Sequence, residues 1–193
     1  MEYPPTMQRR SFLASLMAFS MAQTARVQAF VQNKKQSING GGITFDVPEG
    51  WKSSKPSSSM RRAQLAIPPV AGDKEPGEVV LFAFPGGAGS VDANIERWAG
   101  QFRDAGGAPP KALTKTEKGK NTDVTRVEVS GRYVAAVSPG SRETLDKSNF
   151  KLVGAIVVTP EVSYFLKAVG PDATMKAAAK DFDALIASMK LAD

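Results

Sequence analysis

Proton transfer and nucleophilic attack in this chain fall to carboxylates, lysines, tyrosines and hydroxyls, because its 193 residues include neither histidine nor cysteine. The usual ligands of zinc, copper and iron–sulfur centres are missing with them, as are the commonest general base and the thiol nucleophile. The sequence therefore assigns no catalytic residue, no metal site and no cofactor. Gly86 to Gly89 precede a helix start, a place where backbone N–H groups attract phosphate. A Gly-x-Gly-x-x-Gly register begun at Gly87 puts Asp92 in the third glycine position, however, and its carboxylate would repel the anion. The stretch reads as a turn. Asn94, Arg97, Trp98 and Gln101 make the best candidate recognition patch, since Arg and Trp are enriched where binding energy concentrates. The plainer alternative is that Trp98 packs in the core while Asn94 and Arg97 hold neighbouring loops.

Ser148 and Lys151 have the Ser-x-x-Lys spacing of penicillin-interacting enzymes, but the companion Ser-Asp-Asn and Lys-Thr-Gly segments do not occur. Tyr133, Lys151, Tyr164 and Lys167 fall on late strands, and a small hydrolase-like enzyme using carboxylate, Lys or Tyr side chains would need two of them to converge in one pocket. Asp73 and Glu75 flank Lys74 in a Pro/Gly-rich connection, and Asp181 and Asp183 fall on different helical faces, so neither pair resembles a calcium loop. Lys111, Lys115, Lys118 and Lys120, followed by Arg126 and Arg132, form a basic stretch without interleaved aromatic residues for base stacking. It reads as a solvated strand edge, and no nucleic-acid partner is expected.

The elements that must carry these residues are legible from periodicity. Ile43 to Val47 alternates apolar and polar residues and stops at Pro48-Glu49-Gly50-Trp51, the pattern of a strand and a turn. Arg62 to Ile67 is a second strand ended by Pro68-Pro69, and the continuous apolar run Val79 to Phe84 suits a central strand. From Ser90, a good N-cap, the residues Val91, Ile95, Trp98, Ala99 and Phe102 recur at helical spacing, which predicts a helix ending near Ala105-Gly106-Gly107. Further strands are expected at Leu113 to Lys118, Asp123 to Ser130, Tyr133 to Val137, Leu152 to Thr159 and Ser163 to Val169, with Ser138 to Asn149 a long irregular connection. Met175, Ala178, Ala179, Phe182, Leu185, Ile186 and Met189 share one face of a closing helix. This order predicts an α+β fold, a largely antiparallel sheet covered by helices.

Before these elements, Met7 to Ala29 has the three parts of an export signal: a basic start, an apolar run from Phe12 to Ala22, and a small-residue end at Val27, Gln28 and Ala29. The apolar run is 11 residues, against about 20 needed to span a bilayer, so no transmembrane segment is expected in the mature form. Arg9-Arg10-Ser11-Phe12-Leu13 resembles the twin-arginine consensus, although Gln8 and Ala14 depart from it and the general secretory route stays open. Met7 competes with Met1 as the initiator. The expected organisation is a signal peptide at 1–29, a flexible linker at 30–41 and a single domain at 42–193, acting in the periplasm or secreted. The leader holds Arg9, Arg10 and Arg26 against Glu2, so residues 30–193 keep a net +4 of the chain's +6. Charge of that size favours weak association with anionic surfaces more than a dedicated polyanion site.

The opening GGITFDVPEGW, the FAFPGGAGSVDANIERW segment, the later YFLKAVGP step and the closing helix together resemble the PsbP-like fold family, over residues 42 to 191. Within it the chain is similar to uncharacterised exported bacterial proteins. The resemblance implies an α/β/α sandwich and a non-catalytic binding or accessory domain with an unknown protein or small-molecule partner. Fold analogy does not fix function, and peripheral membrane-surface binding and the hydrolase-like enzyme remain as alternatives.

Overall fold

A computed structural model of the chain describes residues 36–138 and 140–192, which fall in a single unit, Lys34–Asp193. The signal peptide expected at 1–29 and the first part of the expected linker lie outside the described residues. The elements run β1 (Ser37–Asn39), β2 (Ile43–Asp46), β3 (Lys52–Ser54), β4 (Ala63–Ile67), β5 (Gly77–Pro85), α1 (Val91–Ala99), β6 (Phe102–Arg103), β7 (Leu113–Lys118), β8 (Asp123–Tyr133), β9 (Lys147–Val158), β10 (Val162–Pro171), α2 (Asp172–Ala177), α3 (Ala179–Ala187) and β11 (Lys190–Leu191). Strands β1, β2 and β11 form a small sheet around β2. The others form one large sheet in the order β3, β4, β5, β10, β9, β8, β6, with β7 also paired to β8. The ladders are antiparallel, and the fold is the expected α+β arrangement.

Because side chains alternate across a strand, the long central strands feed two separate cores. Val79 and Leu81 of β5 and Tyr164, Leu166 and Ala168 of β10 point to a core closed by Met175, Ala178, Phe182, Leu185 and Ile186 of the C-terminal helices and by Ile43 and Phe45 of the small sheet. Phe165 of β10, Ile156 and Leu152 of β9 and Val127 and Val129 of β8 point the other way, to Trp98, Ala99 and Phe102. The sheet is thus sandwiched between α1 on one face and α2 with α3 on the other.

Several boundaries differ from the sequence expectation, each for a physical reason. Ser37–Asn39 lies within the stretch expected as linker, but it pairs in register with Thr44 to Asp46 and buries Ile38. α1 stops at Ala99 rather than near residue 105: Gly100 caps it, and Phe102, although on the helical stripe, is carried into β6 opposite Tyr133. Of the two strands expected at 123–130 and 133–137, the first runs on to Tyr133 as β8, with a register irregularity between Gly131 and Tyr133, and the second does not form, residues 134–137 contributing only an isolated bridge from Ala136 to Thr144. β9 begins at Lys147, inside the connection expected at 138–149. The closing helix is two helices joined at Ala178 (φ −79°, ψ −2°), a joint that leaves the apolar stripe in line. No helix among the described residues is long and apolar enough to cross a membrane.

Candidate functional site

α1 is set by its first turn. Ser90 accepts a hydrogen bond from the Ala93 N–H at 3.1 Å, the N-cap geometry that satisfies an otherwise orphaned donor. The preceding turn takes positive φ at Gly86, Gly87 and Gly89 (75°, 92° and 80°), a region that glycine enters without steric cost. Asn94, 2% exposed, closes this loop, its amide donating to the Ala88 carbonyl at 2.9 Å and the Ser90 carbonyl at 2.8 Å. The glycines and Asn94 are thereby bound into one turn.

The rest of the expected patch divides by direction. Arg97 is exposed and donates to Asn94 Oδ1 at 2.5 Å. Trp98 turns inward, edge to face with Phe165 at 6.1 Å, and rests over Gly154, where a Cβ would lie 2.4 Å from its ring. Gln101, just past the helix, accepts a hydrogen bond from Lys167 Nζ. Asn94 and Trp98 are structural, then, Arg97 is the exposed member and Gln101 is half-buried against Lys167.

Lys167 is the unusual group on this face. It stands mid-strand on β10 between Val80 of β5 and Gly154 of β9, where the Trp98 ring takes the space a side chain at Gly154 would fill. Its ammonium sits 5.6 Å from the centroid of the Tyr133 ring, within cation–π range. Part of its surface stays open to solvent, yet its surroundings are dense, and burial lowers its pKa from 10.5 to about 8. Glu78 opposes that shift, while Arg61 and Arg97 add to it. Tyr133 packs on Phe102 at 5.0 Å and parallel to Phe150 at 6.1 Å; burial first, and Glu78 after it, push its phenol upward.

A second shelf of polar groups flanks this pair. Gln64 of β4 is opposite Val80, so it lies across β5 from Lys167, and its amide donates to Glu78 at 2.8 Å. Arg61 pairs with Glu78 at 3.0 Å and donates to Gln64 at 3.2 Å. Arg61, Gln64 and Glu78 were not singled out from the sequence. Their signal is faint, the polar member of each pair in Ala63-Gln64-Leu65 and Gly77-Glu78-Val79.

Of the four late-strand candidates, Tyr133 and Lys167 meet and the other two stand apart. Lys151 pairs with Glu128, and the Tyr164 hydroxyl donates to the Gly41 carbonyl at 2.9 Å, with burial and then Glu161 raising its pKa. Ser148 is exposed on strand β9, not on a helix. Asp73 accepts from the Thr174 N–H at 2.9 Å and hydroxyl at 2.6 Å, bracing the start of α2, and Glu75 pairs with Lys147 at 2.6 Å. In the basic stretch, Lys115 pairs with Glu117, Lys118 with Asp123, Arg126 with Asp183 and Arg132 with Asp146. No group of three acidic residues suited to a metal ion occurs among the described residues.

No family model matches the chain, and no curated protein matches it by sequence. Among solved structures it is similar to cyanobacterial PsbP (CyanoP) from Synechocystis sp. PCC 6803, with TM-score 0.51 and 12% identity over 81% of this chain and 92% of that one. It is similar in the same degree to LpqN, involved in cell envelope biogenesis of Mycobacterium tuberculosis, with TM-score 0.51 and 12% identity over 84% of this chain and 88% of that one.

Proposed function

The PsbP-like fold is the premise, and on it we propose that this chain is an exported, non-catalytic binding or accessory domain acting in the periplasm or outside the cell, delivered by a twin-arginine type signal at residues 1–29. The observation that carries the binding reading is the way Lys167 and Tyr133 meet. The ammonium lies over the ring face and bonds to an amide, so the pair has no acid and base sharing a proton, and Tyr133 is held in its protonated form by burial. What the cluster offers is donors and charge along one edge of α1, the equipment of recognition. Export is supported by the leader pattern, and the envelope setting by LpqN, whose role in cell envelope biogenesis suits an accessory domain.

The test is N-terminal sequencing of the protein from fractionated cells. The expected outcome is a chain beginning at Phe30 in the envelope or medium, with the double substitution Arg9→Lys, Arg10→Lys holding the precursor in the cytosol. Recovery of cytosolic protein with residues 7–29 intact would remove the export reading.

A second reading is favoured by one observation: a pKa near 8 at Lys167 leaves about a tenth of it as free amine at pH 7, enough for carbonyl chemistry. Borohydride trapping with pyridoxal should then label Lys167 ahead of the surface lysines. Uniform labelling across the lysines removes that reading.

A further inference from the structure

We propose that Lys167, Arg61 and Arg97, grouped beside the Tyr133 ring, form a binding site for an oxyanion, the carboxylate or phosphate group of a ligand. The inference deepens the binding reading at the same cluster, and it is read on purified protein, so it can fail while export stands.

The charges facing Lys167 come from every element around it. Arg61 precedes β4, Glu78 is on β5 and Arg97 is on α1; Tyr133 on β8 is neutral, and Lys147, opposite Tyr133 in the ladder, is neutralised by Glu75. The cluster therefore holds three cations against the single carboxylate of Glu78, which is itself engaged by Arg61 and Gln64. A protonated Lys167 is left short of an anionic partner in a crowded place, and Gln101 satisfies it through a dipole alone. Proteins usually pair a charge so placed.

The geometry suits an incoming oxygen pair. Lys167 is a compact ammonium with three donors, of which Gln101 takes one, and Arg97 presents a guanidinium whose planar fork matches a carboxylate or phosphate. Val80, 4% exposed, lies beside Lys167 as an apolar floor, the Tyr133 ring forms a wall and the Trp98 ring fills the space over Gly154, so an anion arriving there meets apolar neighbours that strengthen each contact. The arrangement also couples binding to protonation. An anion that prefers the ammonium must raise the lysine's pKa by the same free energy with which the ammonium tightens the anion.

The experiment uses the full chain with carbon-13 labelled lysine, following the Lys167 Cε resonance, assigned with Lys167→Met, through a pH titration. Sodium acetate and inorganic phosphate are the probes, each against sodium chloride at equal ionic strength. The expected result is a saturable rise of the Lys167 pKa by about one unit or more with at least one probe, meaning roughly tenfold tighter binding to the charged lysine. A rise with acetate alone identifies a carboxylate site, and a rise with phosphate alone a phosphate site. Arg97→Ala and Arg61→Ala should each weaken the probe several-fold, with the folded spectrum retained. No rise beyond the chloride control in the wild-type protein overturns the proposal, as does a rise that survives in the double arginine variant.

Discussion

The two faces of the large sheet are built from the same strands and do different work. Under α2 and α3 the surface is apolar from β4 to β9, and it is closed by Phe182, Leu185, Ile186 and Met175, none more than 4% exposed. Under α1 the helix covers the β8 to β10 half with Trp98 and Ala99, while Lys167, Gln101, Arg61, Gln64 and Glu78 occupy the margin of that cover. One face is spent on stability, and the other leaves charges where a ligand can reach them. Buried polar groups lower stability unless fully partnered, so a lysine kept on the second face is more readily understood as serving recognition than folding.

The contrast can be broken most easily on the apolar face. Phe182→Ala should destabilise by about 3–5 kcal/mol, the range for a fully buried aromatic, measured by urea unfolding followed by circular dichroism. A loss under about 1 kcal/mol would mean that this face is not the main store of burial energy. Gly154→Ala is the next largest. Its new Cβ would fall 2.4 Å from Trp98, an overpacking expected to cost about 1–3 kcal/mol and to change Trp98 fluorescence.

Lys167→Met sharpens the comparison because its sign is opposite. A folded pKa near 8 against 10.5 for the free side chain means that the native state binds fewer protons than the unfolded state between those values. The wild type therefore gains stability as pH rises from about 8 to 10.5, and it carries the full burden below about 8. Removing the charge should stabilise the protein by about 1–2 kcal/mol at pH 7, after the loss of the Gln101 bond and the ring contact. That advantage should shrink toward pH 10.5. A destabilised variant, or one whose advantage is flat with pH, would show that the ammonium is well paired in the native state. The smallest effect is expected at the rim, where Asp183→Asn breaks the Arg126 pair (2.8 Å, Asp183 side chain 67% exposed) and should change stability by less than about 0.5 kcal/mol.

The sequence exposes the apolar face more fully than the polar one. The stripe through Met175, Phe182 and Ile186 is visible because each residue repeats the helical period, and the joint at Ala178 is invisible because it keeps that stripe in line. Phe102 extended the α1 pattern falsely, since a helical stripe and a single strand residue look alike until Gly100 is known to end the helix. β1, β3 and β11 have two or three residues with at most one buried, too short to show alternation. At the site, Lys167 is legible as one charge inside the apolar run from Val162 to Val169. Arg61, Gln64 and Glu78 are not, because they reach it only through the pairing of β4 with β5 and then of β5 with β10, the second of which joins Val80 to Lys167 across most of the domain's sequence.

β1 and β11, the first and last strands described, flank β2 in the small sheet, and the Ala192 N–H donates to the Gly42 carbonyl at 2.9 Å. Residue 36 lies beside Val47 at one end of β2 and residue 192 beside Gly42 at the other, so joining them means crossing two inter-strand spacings, about 10 Å, and about five residues of strand length, roughly 16 Å. A flexible glycine-serine bridge of roughly eight residues or more could splice residue 192 back to residue 36 and new ends be cut in the connection after β8, giving a rewired chain with both cores unchanged.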